Sequence, residues 1–228
     1  MIAGYTAEQV RAAERPHLAA GEPLMLRAAA ALARVVADAA GAGRTGTPAV
    51  VLVVGSGDNG GDAMFAGAEL ARRGASVSIV PVGSRLHEAG SAAALAAGAR
   101  RLDHRGPEVA AALASADVIV DGVLGTGSAA SPALREPARS VVELARARLA
   151  AAHPPRVVAV DLPSGIHPDT GEVPDPTVLP ADVTVTFGAC KAGLLRRPGA
   201  DYAGEVLVVD IGIGDALAGV EPAIVVPD

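Results

Sequence analysis

The apolar positions of this chain come in blocks whose period switches from continuous to helical. Residues 49–54 read Ala, Val, Val, Leu, Val, Val, bounded by Pro48 and Gly55. A strand with one wet face would alternate, so this unbroken run predicts a strand buried on both faces. Past a polar, glycine-rich stretch (55–62), apolar residues return at helical spacing, Met64, Ala68 and Ala71 with Phe65 and Leu70 beside them, and stop at Gly74. That pattern predicts a helix with a glycine end. The same unit recurs downstream. Strands are predicted over 75–82, near Arg101, and over 117–121, 156–161, 182–187, 205–211 and 223–226, with helices at 87–97, 107–114 and 135–151 between them. Upstream, Thr6 and Gln9 make a capping-box pattern that opens a first helix, which Pro16 is expected to interrupt. A second, alanine-rich helix follows Gly21, Glu22 and Pro23 and is expected to end at Gly41.

Strands alternating with helices imply right-handed βαβ units. The expected fold class is α/β: a Rossmann-like three-layer sandwich with a mostly parallel central sheet, helices on both faces and extra N-terminal helices. With no internal repeat, low-complexity tract or linker, residues 1–228 are expected to form one domain. Residues 163–180, rich in Pro, Gly and Asp, exceed the length of a simple connector and are expected to shape a site.

Composition narrows the partners. The apolar half of the chain is mostly Ala, Val and Leu, with no Trp, two Tyr and two Phe, so no stacking platform for single-stranded nucleic acid is expected. A net charge of -6 without a Lys/Arg cluster argues against nucleic-acid and acidic-membrane surfaces and leaves a small molecule as the expected partner. The one cysteine, Cys190, excludes an internal disulfide and is expected to be a small core residue in a cytoplasmic protein. No signal-peptide layout and no membrane-length apolar run is visible.

Candidate chemistry collects where predicted strands end, the rim at which parallel α/β sheets hold ligands. Gly55, Gly57 and Gly60 satisfy G-x-G-x-x-G, a weak signal alone. The acid that ordinarily holds a ribose hydroxyl is missing, since the next strand ends in Gly83, Ser84 and Arg85. In its place Asp58, Asn59 and Asp62 put oxygens into the phosphate loop itself, which suggests a cation between them and a phosphate. Helix capping would account for only one of the three. Other strand ends carry Asp121 with a second glycine loop (122–128), Asp161 with Pro163, Ser164 and Gly165, and Lys191 between Gly188 and Gly193. Singly, Asp121 and Asp161 read equally well as turn formers, and Ser164 as the start of a turn. His17, His87, His104, His153 and His167 lack metal-ligand spacing and are expected to be solvated, as is the Arg196, Arg197 pair, although that pair could reach a phosphate.

Taken in order, the segment 21–28, the 55–62 loop, the 121–127 loop, the 161–165 turn and the 186–194 segment closely resemble the YjeF N-terminal domain family, the NAD(P)H-hydrate epimerases. The likeness spans nearly the whole chain. Two departures are visible, Asp58 where the family commonly has Asn and Ala63 where it usually has Gly. The first alters the charge beside the phosphates, and the second is tolerated at a helix start.

The resemblance implies an isomerase that interconverts the R and S forms of NADHX and NADPHX, and one bound potassium ion per subunit. It implies that Asn59, Asp121 and Ser164 hold the cation. Asp58, Asn59, Gly60, Gly61 and Asp62, with Gly125, Thr126, Gly127, Ser128, Ala129, Ala130 and Ser131, would hold the dinucleotide. Asp161 and Lys191 would do the chemistry. It implies further that the N-terminal helices are available to pair two subunits in a homodimer, and that a kinase-like NAD(P)HX dehydratase acts with, or is linked to, this domain. No dehydratase motif is present, so that step is expected to lie outside these residues. Two other classes compete: a non-catalytic nucleotide- or protein-binding module of the same fold, and an NAD(P)-linked dehydrogenase.

Overall fold

The computed structural model describes residues 1–41 and 46–227. The chain runs β1 (Ile2–Tyr5), α1 (Ala7–Ala19), α2 (Leu24–Gly41), β2 (Ala49–Val54), α3 (Asp58–Arg72), β3 (Ser76–Pro81), α4 (Glu88–Ala96), β4 (Arg100–Arg101), α5 (Pro107–Ser115) and β5 (Val118–Gly122). It continues through α6 (Ala138–Arg148), β6 (Arg156–Val160), β7 (Val183–Phe187), β8 (Cys190–Lys191), β9 (Glu205–Val209), α7 (Gly214–Leu217) and β10 (Ile224–Val226).

Among the described residues seven strands form one sheet in the order β4-β3-β2-β5-β6-β7-β9, every pair parallel. The chain winds outward from β2 in one direction and from β5 in the other, so the loops leaving these two adjacent strands part at their carboxyl ends. That parting is the crevice in which doubly wound sheets take ligands. A small side sheet, β10-β1-β8, pairs β1 antiparallel to β10 and parallel to β8.

Alternation along the strands feeds two cores. Val50, Leu52 and Val54 of β2 face the layer built by α2, α3 and α4, while Val51 and Val53 face α5 and α6. Both faces of β2 are dry, which is why its sequence does not alternate. Small residues bring the layers close: at Gly67 of α3, a Cβ would run into the Leu52 side chain of β2. A third core, with Leu162, Ile166, Val178, Cys190, Leu194 and Ala203, packs residues 163–180 against the segment after β8.

Three expectations are corrected. Helix α1 runs through Pro16 and continues to Ala19. The proline lies on the exposed side with one turn left to run, so it costs one hydrogen bond without breaking the helix. Helix α6 starts at Ala138 and not at 135, with Pro137 at its N-cap. The elements β1, β8 and α7, of two to four residues each, were not expected, since so short a run carries no readable period.

Candidate active site

Loops leaving β2 and β5 meet at the crevice, and glycines make their approach possible. The Gly55 N–H donates to the Gly122 carbonyl at 3.0 Å. A Cβ at Gly55 would overlap the Val123 carbonyl, and one at Gly60 the Gly55 carbonyl. The glycine pattern therefore first serves packing of loop on loop. Helix α3 begins inside the motif, with Gly57 as N-cap and no side-chain cap. Asp58, Asn59 and Asp62 thus stand on its first turns, and none of them caps the helix.

Asn59 ties three strand ends together. Its Nδ2 donates to the carbonyls of Leu124 (3.1 Å) and Val160 (2.6 Å), which lie after β5 and at the end of β6. At Gly125 a Cβ would overlap the Asn59 amide, so this residue too is glycine for lack of room. Beside this knot Asp121, at the end of β5, is 1% exposed. Its Oδ2 accepts from the Ser164 N–H (2.8 Å), and its Oδ1 from the Ser164 hydroxyl (2.6 Å) and the Val123 N–H (3.3 Å). Ser164 Oγ in turn accepts from the Leu124 N–H at 2.8 Å. Burial pushes the Asp121 carboxyl above its usual range, and the bonds from Ser164 and Val123 oppose this.

A cavity of about 580 Å³ opens between the two glycine loops. Asp58, Asn59, Thr126, Ser128, Ser131 and Arg135 line it, with backbone from Gly125, Gly127 and Ala130. The remaining residues expected to hold a dinucleotide lie elsewhere: Ala129 is not part of the lining, and Gly60, Gly61 and Asp62 are buried behind it in α3. A side chain at Gly61 would crowd the His87 ring and the end of the Met25 side chain.

On the far side of Asn59, Asp161 and Lys191 form an ion pair at 2.5 Å, their side chains 7% and 2% exposed. Asp161 is the one described non-glycine residue with positive φ, +68°. Its N–H donates to Val185 of β7, and the Leu162 N–H turns back to Val160, both at 2.8 Å. Aspartate tolerates this left-handed backbone better than most residues, and strain of this kind is held where the surroundings determine it. Lys191 Nζ also donates to the Phe187 carbonyl at 2.7 Å. Thr186 Oγ1 (3.1 Å) and the Phe187 N–H (3.4 Å) donate to the same Asp161 oxygen, Oδ1. Among the described residues no hydrogen bond falls on Oδ2, which leaves that oxygen for a guest.

Long-range pairing places the lysine. Tyr5 of β1 is in register with Lys191 of β8, and the Gly193 N–H donates to Pro168 at 2.7 Å, so residues 163–180 buttress the turn that follows the lysine. Helix α1 lies across the same rim. The Ala7 N–H donates to Asp169 Oδ1 at 2.7 Å, and Arg11 to the Thr126 carbonyl at 3.3 Å. One turn on, Glu14 is half-buried and its carboxyl is raised above the usual range, first by desolvation and then by the Asp161 and Asp58 charges, with Lys191 opposing.

The sequence reading passed over Glu14 and Arg11, and gave Thr186, the first residue of the 186–194 segment, no role of its own. An acid following the buried Ala7, Val10 and Ala13 of α1 was the one available sign of Glu14. Histidines expected to be solvated are partly structural: His87 Nδ1 caps α4 by accepting from Gly90, and His167 Nδ1 accepts from Asp169 and Thr170. Arg196 donates to the Asp169 and Ala223 carbonyls and is committed to the fold, not to a phosphate. Among the described residues no cluster of three or more His, Cys, Asp or Glu forms a metal-binding group, and no helix is long and apolar enough to cross a membrane.

Residues 21–193 match the family described as YjeF-related protein N-terminus. The chain belongs to this family. Relatives of the YjeF-related domain extend the likeness to both ends. An NAD(P)H-hydrate epimerase of Clavibacter sepedonicus is 50% identical over 223 residues, covering 96% of this chain and 93% of its own length. A bifunctional NAD(P)H-hydrate repair enzyme of Mycobacterium tuberculosis (strain ATCC 25618 / H37Rv) is 40% identical over 215 residues, which cover 92% of this chain and 41% of that longer protein. In fold, the chain is similar to the solved yeast protein ynu0, with a TM-score of 0.73 at 20% identity over 89% of this chain and 86% of the other.

Proposed function

We propose that this YjeF-related domain is an NAD(P)H-hydrate epimerase, an isomerase that interconverts the R and S forms of NADHX and NADPHX, in which water has added at C6 of the reduced nicotinamide. Relatives so named are 48% to 50% identical over nearly the full chain. The observation that carries the reading is the buried Asp161–Lys191 pair, set on the rim that also bears both glycine loops.

In this reading the dinucleotide lies in the cavity between the loops, with its phosphates at the start of α3, where helix N–H groups favour anions. The nicotinamide reaches past Asn59 toward Asp161. The C6 hydroxyl leaves as N1 donates its electron pair, which gives a planar cationic ring, and water returns to either face. Asp161 stabilises that cation and exchanges a proton with the water through Oδ2, while Lys191 and Thr186 hold Oδ1 still. General acid–base catalysis of this kind contributes about 10²- to 10⁴-fold. Hydride transfer is not part of the cycle, so no hydride acceptor is needed.

The oxygens around Asn59 fit a monovalent cation. Asp121 is a fully buried carboxylate that pairs with no basic side chain among the described residues, a costly arrangement that a cation would relieve. One carboxylate among neutral amide, hydroxyl and carbonyl oxygens is a hard, weakly charged donor set. Potassium would be held by Asn59, Asp121 and Ser164, and would supply positive charge beside the phosphates. The single buried Cys190 fits a reducing cytoplasm, the N-terminal helices are the surface assigned to a homodimer, and a separate or linked dehydratase consumes the S epimer.

Incubation with purified S-NADHX, followed by chromatography of the epimer ratio, tests the function. Interconversion faster than the spontaneous rate is expected. An unchanged ratio would favour a binding module, and oxidation of the cofactor a dehydrogenase. Replacing potassium with choline at constant ionic strength is expected to lower the rate at least tenfold and to lower the melting temperature, and indifference to the swap would remove the cation from the site.

A further inference from the structure

The end of β3 has no part in the chemistry above, although strand order puts it on the path of the ligand. Asp161 directly follows β6, and α3 starts after β2. In the order β3-β2-β5-β6 a dinucleotide with its nicotinamide at Asp161 and its phosphates at α3 points its adenosine half at β3. Neighbouring strands lie about 4.8 Å apart, so the steps from β6 to β3 span about 14 Å of rim. In doubly wound sheets the ribose of that half is met beyond this strand, by an acid that takes the 2′-hydroxyl or by an arginine that accommodates a 2′-phosphate. Here the acid is absent and an arginine is present. Val82 and Gly83, which follow β3, line the dinucleotide cavity together with Ser56. Gly83 also lines a second hollow, of about 560 Å³, with Ser84, Arg85, Glu88, Ser91 and Arg101. The two spaces therefore meet at one residue.

We infer that Arg85, with Ser84 beside it, is a specificity-determining residue that binds a 2′-phosphate, so that the chain prefers NADPHX to NADHX. This rests on the epimerase reading and deepens it, by choosing between two substrates that the chemistry at C6 does not distinguish. The backbone of the segment is fixed. A Cβ at Gly83 would overlap Ser56, and the Arg85 N–H donates to Ser56 Oγ at 3.3 Å, so the segment after β3 is held against the phosphate loop. Its side chains are uncommitted. Ser84 and Arg85 are exposed, and among the described residues no hydrogen bond or ion pair engages the Arg85 guanidinium. Arg101 of β4 is unengaged in the same way, and Glu88 is the one acid lining this hollow, which leaves it a net positive charge. A guanidinium meets a phosphate with paired N–H donors, whereas a bare ribose hydroxyl offers it a single neutral acceptor. Arg135 is the other arginine of the dinucleotide cavity, but it follows β5, on the side away from β3, and donates to Ser131 Oγ at 2.9 Å.

Epimerisation of NADPHX and of NADHX, each followed by chromatography, reads the preference. The expected kcat/KM for NADPHX exceeds that for NADHX by about 10- to 100-fold, the range for hydrogen bonds to a charged group, and the difference lies in KM. It should shrink as salt is raised, because the site is exposed and its charges are screened. Arg85→Ala should bring the two substrates within about threefold of each other, with the melting temperature of wild type. Arg85→Glu should reverse the preference, since a carboxylate repels the phosphate and accepts from the free 2′-hydroxyl. Equal turnover of both substrates by wild type would overturn the assignment. So would a preference that survives Arg85→Ala, or one that is lost in Arg135→Ala instead. Isothermal titration with NADP⁺ and NAD⁺ is expected to show the same preference and the same loss without any turnover. A wild type that leaves the epimer ratio unchanged would therefore fail the epimerase reading alone, while equal affinity for NADP⁺ and NAD⁺ would fail this one.

Discussion

Asp161→Asn is expected to lower epimerisation by about 10²- to 10⁴-fold while leaving the chain folded and able to bind a nicotinamide dinucleotide. The backbone argument comes first. At φ +68° most side chains would be strained, by about 1–3 kcal/mol for a residue held in such a region. Asparagine enters it nearly as readily as aspartate, so the turn at the end of β6 should survive. The Asn amide oxygen can still accept from Thr186 and the Phe187 N–H, the neighbours that now bond Oδ1. What is lost is the charge beside the ring, the capacity to take a proton and the counter-charge of the buried Lys191 ammonium, so some stability goes with the activity. Asp161→Ala should lose more stability still, because it also removes the acceptor of the Thr186 and Phe187 bonds. Stopped-time chromatography of the epimers, with isothermal titration of the dinucleotide, separates the two effects. Full activity in Asp161→Asn would remove this carboxyl from the mechanism.

Lys191→Met is expected to be the most destabilising single change, by about 3–5 kcal/mol. The lysine is 2% exposed and its ammonium meets Asp161 Oδ1 and the Phe187 carbonyl. Methionine fills most of the space but leaves a buried carboxylate with two weak donors and the Phe187 carbonyl with the Ala189 N–H alone. The size of the loss comes from the stranded charge and not from the strength of the pair. It follows that Asp161→Asn combined with Lys191→Met should be markedly more stable than Lys191→Met alone. Urea denaturation of the two single variants and the double completes the cycle. Strict additivity of the two losses would mean that the groups do not interact in the folded protein.

How much of this was legible beforehand depended on whether a local rule applied. β2 could be read because both of its faces are dry, and α3 because its apolar residues keep a helical period up to a glycine. Asp121, Asp161, Ser164 and Lys191 were found by asking only what stands at the ends of strands. The reason Lys191 reaches Asp161 was not legible. It depends on β8, two residues long, pairing with β1 at the other end of the chain. No window of neighbouring residues contains that information. Glu14 was hidden for a related reason, since an acid on a helix reads as part of a wet face until another element covers it. The glycines were legible as a motif but ambiguous in cause. Gly55, Gly60 and Gly125 are required by contacts within the protein, with the Val123 and Gly55 carbonyls and the Asn59 amide, before any ligand is considered. His87 and Arg196 erred the other way, because polar side chains that cap a helix or bind loop carbonyls look in sequence like solvated ones.

Everything in this account turns on a single nicotinamide dinucleotide spanning from the loop cavity to the Asp161–Lys191 pair. A crystal structure of the protein with a reduced nicotinamide dinucleotide and potassium measures that directly. The account predicts pyrophosphate over the start of α3 and against the 125–131 loop, with the nicotinamide C6 edge within hydrogen-bond reach of Asp161 Oδ2. A dinucleotide bound with its nicotinamide pointing out past Arg135, and its adenine or nothing at all beside Asp161, would contradict it.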